Sequence, residues 1–234
     1  MKKFFAWLLI FAMVFAFAGC GKEEETPVST APVETTQAPT QETSVEETTQ
    51  VPEEVPTVMA KPLFGEILDG YFDGLLQGFT PEQFSQAGLN ALVGEEADVS
   101  KIGYSMDDLD GDGNTELLIG PVGSTYVYAM YTLQNEQEVM LIDATARNTY
   151  QISSDGVFMN RGSSSASSVS YTLYIFQGGQ LLAQDGLVCE EGSWYYENAG
   201  TREALDEASA LAITAQLEEN VVPIAYIPFS EYNS

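Results

Sequence analysis

From Leu63 onward the hydrophobic positions recur with a helical period. Ile67, Leu68, Tyr71, Phe72, Leu75 and Phe79 gather on one side while Glu66, Asp69, Asp73 and Gln77 line the other, which predicts a helix over Leu63 to Phe79. Gly65, Gly70, Gly74 and Gly78 each weaken such a helix by about 1 kcal/mol relative to alanine, so packing has to hold it. The acidic row reads as a solvated face. A second helix is expected after Thr80, whose hydroxyl can cap it, with Pro81 at the first helical position and Gln83 completing a capping box.

Beyond Lys101 the period shortens to two. Thr125 to Leu133, Glu138 to Ile142, Tyr150 to Ser153, Val157 to Asn160, Val169 to Gln177 and Gln180 to Val188 are short runs rich in β-branched and aromatic residues. Asn135, Asp155-Gly156, Gly178-Gly179 and Asp185-Gly186 supply turn chemistry between or within them. This pattern predicts an antiparallel meander. Thr201 is expected to begin a last helix over roughly Arg202 to Asn220, and Val221 to Phe229 a strand that Pro223 and Pro228 confine to an edge. The expected fold class is α+β: N-terminal helices on a mainly antiparallel β-meander, then a late helix and an edge strand, in one domain over residues 63–234.

The segment before Leu63 has a different character. Lys2 and Lys3 precede an uninterrupted apolar run from Phe4 to Ala18, the layout of a secretory signal over residues 1–19 and too short to span a bilayer comfortably. Phe17-Ala18-Gly19-Cys20 resembles a bacterial lipobox with Phe where Leu is usual, which implies that Cys20 is lipidated and becomes the mature N-terminus; a plain cleaved signal is the alternative. Gly21 to Pro62 consists largely of Glu, Thr, Pro, Gln, Ser and Val. Such a composition buries too little to offset its ordering entropy, so residues 20–62 are expected to be a disordered tether, reaching at most about 140 Å when fully stretched. The expected location is the outer face of a cell membrane, held by lipid.

Charge removes several functions. Lys and Arg number 8 against 35 Asp and Glu, for a net charge of −27 and a pI near 4.1, so no nucleic-acid partner is expected. The chain has no histidine, which removes Ser-His and Cys-His nucleophiles and histidine zinc sites. Ser163-Ser164-Ser165-Ala166-Ser167-Ser168 offers hydroxyls without a base and reads as a loop. Glu190-Glu191 and Glu218-Glu219 keep a carboxylate-based hydrolase as a third reading. Cys189, in Leu187-Val188-Cys189, reads as a small buried strand residue.

One stretch carries specific chemistry. In Asp108-Leu109-Asp110-Gly111-Asp112-Gly113-Asn114-Thr115-Glu116, oxygen donors recur at alternate positions, as they do where a chain winds around a hard cation. Asp108, Asp110, Asp112 and Glu116 offer carboxylates and Asn114 a carbonyl, and Gly113 permits the sharp turn. Four carboxylates so close repel one another unless a cation lies between them. Position twelve is Ile119 instead of a bidentate glutamate, and Glu116-Leu117-Leu118-Ile119 reads as a strand. The loop therefore resembles those of integrin-type FG-GAP repeats more than an EF-hand, and the resemblance implies Ca2+. The order of elements, from this loop through YVYAMYTL and ISSDGVF to a late helix, is similar to that of a group of lipoproteins of Gram-positive gut bacteria with no assigned activity; the resemblance implies a calcium-binding, membrane-tethered protein and brings no catalytic residue with it.

The aromatic strands leave room for a ligand. Tyr126 and Tyr128 are expected on one strand face, and Trp194 and Tyr195 follow a turn at Gly192; exposed aromatics of this kind stack on sugars or anchor a protein. The expected function is a tethered extracytoplasmic calcium-binding interaction module with a surface protein or glycan partner, the alternative a small solute- or glycan-binding lipoprotein.

Overall fold

A computed structural model describes residues 63–232. The signal, Cys20 and the tether of the sequence reading lie outside the described residues. Two helices open the described chain: α1, Gly65–Gln77, and α2, Pro81–Gln86. Thr80 accepts from the Gln83 amide while Gln83 reaches back to the Thr80 amide, so the capping box forms as expected. Gly78 ends α1 with φ 66°. Gly74 has a packing reason as well: a Cβ there would lie 2.6 Å from the Phe84 ring.

Strands β1 (Ile102–Asp107), β2 (Glu116–Pro121), β4 (Ala129–Gln134) and β5 (Gln137–Asp143) build one antiparallel sheet with the two-residue β12 (Ile227–Pro228) in the order β12-β1-β2-β4-β5. A second antiparallel sheet runs β11-β10-β9-β8-β7-β6-β3, from β3 (Tyr126–Val127), β6 (Asn148–Ile152), β7 (Val157–Ser165), β8 (Ser168–Gln177), β9 (Gln180–Glu190), β10 (Ser193–Asn198) and β11 (Thr201–Leu205). The mainly antiparallel α+β class is as expected, but the single meander resolves into two sheets.

The cores explain the layering. On one face of the first sheet Leu117, Ile119 and Tyr131 pack with Leu68, Tyr71 and Phe84 of the helices. Its other face sends Leu118, Met130 and Ile142 against Val127, Phe158 and Phe176 of the second sheet. The far side of the second sheet, with Met159, Tyr171 and Leu187, is covered by Ile213 and Leu217 of α3, Glu207–Glu219. Strand β2 is therefore buried on both faces, which accounts for its unbroken apolar run.

Four expectations need correction. The stretch Thr125 to Leu133 is two strands: Tyr126–Val127 pairs with β6 and Ala129–Gln134 with β2 and β5, because the chain passes from one sheet to the other at Tyr128. Asp185-Gly186 lies inside β9 at a register shift, where a Cβ on Gly186 would come 2.9 Å from the Tyr171 carbonyl oxygen. The last helix begins at Glu207, capped by Asp206 accepting from the Ser209 amide, since a turn at Ala199-Gly200 folds Thr201–Leu205 back onto β10. Of Val221 to Phe229 only Ile227–Pro228 pairs as a strand, at the edge of the first sheet as its prolines require.

No helix among the described residues is long and apolar enough to cross a membrane.

Candidate metal centre

The acidic loop joins β1 to β2, and the pairing Asp107↔Glu116 closes its base. Gly111 and Gly113 adopt φ of 74° and 91°, left-handed conformations that side chains resist, and these let the chain wind inward. Backbone amides converge on the first aspartate: Gly111 donates to Asp108 Oδ1 at 2.8 Å, Asp112 to the same oxygen at 3.1 Å, and Gly113 to Oδ2 at 3.0 Å. The loop is thus shaped by its own carboxylates before any ligand is considered.

Asp108, Asp110 and Glu116 each bring an oxygen within 4.8 Å of the others. Their exposure is graded, with Asp108 open to solvent, Asp110 half-buried and Glu116 only 1% exposed. Glu116 Oε2 accepts from the Leu109 amide at 3.1 Å and Oε1 from the Thr132 hydroxyl at 2.9 Å. Burial pushes its carboxyl above the usual range; the two hydrogen bonds pull the other way, and the charges of Asp110 and Asp112 add to the rise. Asp112 instead turns to its neighbour, accepting from the Asn114 amide at 2.7 Å and side-chain amide at 3.1 Å. Of the five expected donors, three carboxylates are therefore gathered, while Asp112 and Asn114 hold each other on the exposed side.

Two contributors carry no local sequence signal. Thr132 comes from β4, and the Gly178 amide, in the β8–β9 turn, donates to Asp110 Oδ2 at 2.6 Å. Gly178-Gly179 was legible as a turn, but nothing in the sequence places it beside residue 110.

The remaining candidates are dispersed. Tyr126 is 42% exposed on β3, whereas Tyr128 packs into the core between the helices and the first sheet, so the two do not share a face. Trp194 packs against the core under α3, and the Arg202 guanidinium lies 4.0 Å over the Tyr195 ring. Arg202 also donates to Glu190 at 2.7 Å. The serine stretch is the hairpin between β7 and β8, with Ser163 Oγ donating to the carbonyls of Ser165 and Ser168 at 2.9 and 3.1 Å. Cys189 carries a free thiol and is half-buried, not buried, opposite Trp194 near the end of β9.

Compared with known protein families, with curated proteins and with solved structures, the chain matches none.

Proposed function

We propose that this chain is a membrane-tethered extracytoplasmic module that binds a divalent cation, calcium, in the Asp108–Glu116 loop and presents its sheets to a surface partner. The observation that carries the reading is Glu116: a carboxylate 1% exposed, within 4.8 Å of the oxygens of Asp108 and Asp110. Burying an ionised group beside two like charges is costly unless a counter-charge is present. All the donors are oxygens, and oxygens up to 4.8 Å apart can share a centre at the 2.3–2.6 Å bond lengths of Ca2+. Asp112 and Asn114, on the open side, are placed by sequence spacing to complete the coordination.

The tethered, outward-facing location rests on the basic n-region, the apolar run and the lipobox-like Phe17 to Cys20. The helices ahead of the sheets and the late helix behind them serve as scaffold, leaving the loop at one end. Titration of the purified protein with calcium by calorimetry, paired with melting in chelator and in about 1 mM calcium, tests the reading. Heat of binding and a raised melting temperature support it; identical melting in both and no heat remove it.

A further inference from the structure

The second sheet is covered unevenly. One face lies under α3, and on the other Phe158 and Phe176 are buried against the first sheet. Farther along that second face Asn148, Gly162, Ser170, Val188 and Tyr195 stand opposite one another, in one straight row across β6, β7, β8, β9 and β10. Strand alternation turns this row away from Tyr171, Leu187 and Trp194, which pack toward α3. All five residues are partly exposed, unlike Phe158 and Phe176. Gly162 keeps an ordinary φ, so no turn requires it, and glycine inside a strand commonly marks the close approach of another group. A Cβ there would come 2.8 Å from Ser170 Oγ and 3.7 and 3.8 Å from Oδ1 of Asn148 and Asn160, so three oxygens gather around the space above it. Asn160 is only 6% exposed; its Nδ2 donates to Asn148 Oδ1 at 2.7 Å and to the Thr149 carbonyl at 3.1 Å, yet no described residue donates to its Oδ1. The hydroxyls of Ser170 and of Thr172, the register partner of Asn160, have no protein partner among the described residues either. No buried side-chain polar atom of the described residues lacks a partner, so these three oxygens open to the surface. At the far end of the row the Arg202 guanidinium lies 4.0 Å over the Tyr195 ring and is held by Glu190 and Glu197 at 2.7 and 3.5 Å. Arg202 belongs to β11, which leaves the side of the ring toward β9 standing over Val188.

We propose that this trough binds a short neutral oligosaccharide laid across the strands. The proposal rests on the surface-partner half of the function given above and is independent of the cation. From Asn148 to Tyr195 the row crosses the spacings between β6 and β10, about 19 Å, longer than one sugar ring and suited to a chain of a few. Sugar hydroxyls both donate and accept, which matches the unused capacity of Asn160 Oδ1 and of the Ser170 and Thr172 hydroxyls. The apolar C–H face of a pyranose matches the open side of the Tyr195 ring. Tyrosine supplies rigid amphipathic contact at small entropic cost, while Ser, Gly and Asn supply adaptable hydrogen bonding, a pairing that serves recognition surfaces elsewhere. A net charge of −27, with Arg202 already held by two carboxylates, disfavours an anionic glycan. An added protein strand is disfavoured as well, because the row lies within the sheet, where backbone groups are already paired.

Titration of the purified protein in chelator with cellotetraose, chitotetraose and maltotetraose, followed by calorimetry and amide NMR shifts, tests this. At least one of the three binds, with the shifted amides centred on Gly162, Ser170 and Val188. Tyr195→Ala removes the stacking ring and Ser170→Leu fills the trough; each weakens binding at least about tenfold, the loss expected of a central contact. Melting temperatures confirm that both variants are folded. Tyr126→Ala, which removes an exposed tyrosine outside the row, leaves binding unaltered. No binding of any of the three, binding only of an anionic fragment such as a hyaluronan tetrasaccharide, or undiminished affinity in folded Tyr195→Ala and Ser170→Leu would overturn the proposal. The chelator keeps the two readings apart: a missing calcium response leaves sugar binding standing, and missing sugar binding leaves the cation site standing.

Discussion

The Asp110 carboxylate accepts the backbone N–H of Gly178 at 2.6 Å across 68 positions of sequence. This bond ties the acidic loop of the first sheet to the β8–β9 turn of the second, and Gln134 Nε2 donates to the Gly179 carbonyl at 2.8 Å beside it. The turn is thus held from two sides, by a residue of the loop and by the last residue of β4. The cation proposed for the loop would act on a carboxylate that already serves the seam between the sheets.

Replacing Asp110 by alanine therefore has two effects. At about 1 mM free calcium and a dissociation constant near 0.1 mM, binding to the native state contributes about 1.4 kcal/mol, seen as a rise of a few degrees in melting temperature. Asp110→Ala abolishes that rise and also lowers the melting temperature in chelator, since Gly178 loses its acceptor. Asp155→Ala, in the β6–β7 turn, leaves the calcium-dependent rise intact. Paired melting scans on the three proteins check this, and a full calcium response in Asp110→Ala would contradict it.

Glu116 gives a pH dependence of determinate sign. Because burial raises its carboxyl in the folded state, its contribution to stability without a cation is full below the unfolded value of about 4.3 and is lost as pH rises through the higher folded value. At neutral pH in chelator the ionised group is thus a burden. Glu116→Gln removes that burden but keeps an oxygen for only one of the two donors, the Thr132 hydroxyl and the Leu109 amide, so the lost bond offsets the gain and its melting temperature in chelator stays close to that of the unaltered protein at pH 7. The unaltered protein gains relative to it as pH falls toward 4. Calcium favours the unaltered protein, whose affinity falls as pH drops through the range where Glu116 takes up a proton. A calcium-induced rise in Glu116→Gln equal to that of the unaltered protein would refute this account.

The anchor is tested separately from the domain. If Cys20 is acylated, the unaltered protein partitions with membranes and incorporates labelled palmitate, because two or more chains give stable attachment. Cys20→Ala appears in the medium or as an unprocessed precursor. Unaltered protein found unlabelled and wholly in the medium contradicts the tether.

The sequence made local chemistry legible and left long-range chemistry hidden. Thr80, Pro81 and Gln83 announce α2 because capping depends on neighbours three residues apart. The acidic loop announces itself for the same reason: alternate oxygens and glycines within nine positions. The division into two sheets was invisible, since Thr125 to Leu133 has the same β-rich pattern on both sides of Tyr128 and only tertiary pairing separates β3 from β4. The alanine-rich, weakly amphipathic stretch from Arg202 predicts a helix, yet the hairpin at Ala199-Gly200 outweighs that propensity over Thr201–Leu205. Thr132 and Gly178 reach the loop from distant strands, and no spacing rule connects them to it.

Glycines in α1 provide a test in which propensity and packing oppose each other. Alanine in place of glycine within a helix gains up to about 1 kcal/mol from propensity alone. At Gly74 the new Cβ would stand 2.6 and 2.8 Å from two ring carbons of Phe84, a fully buried side chain, and 3.1 Å from Phe79. Neither ring can retreat without disturbing the contact between α1 and α2, where the Tyr71 and Phe84 centroids lie 6.1 Å apart. Overpacking of this kind costs about 1–3 kcal/mol and exceeds the propensity gain, so Gly74→Ala lowers the melting temperature. At Gly70 the nearest atom is Leu89 Cδ1 at 3.3 Å, the end of a flexible side chain that can turn aside. Gly70→Ala is therefore neutral or stabilising. Opposite signs at two positions one turn apart in the same helix are the expected result of chemical denaturation, and equal gains at both would show that α1 does not press on Phe84 as described.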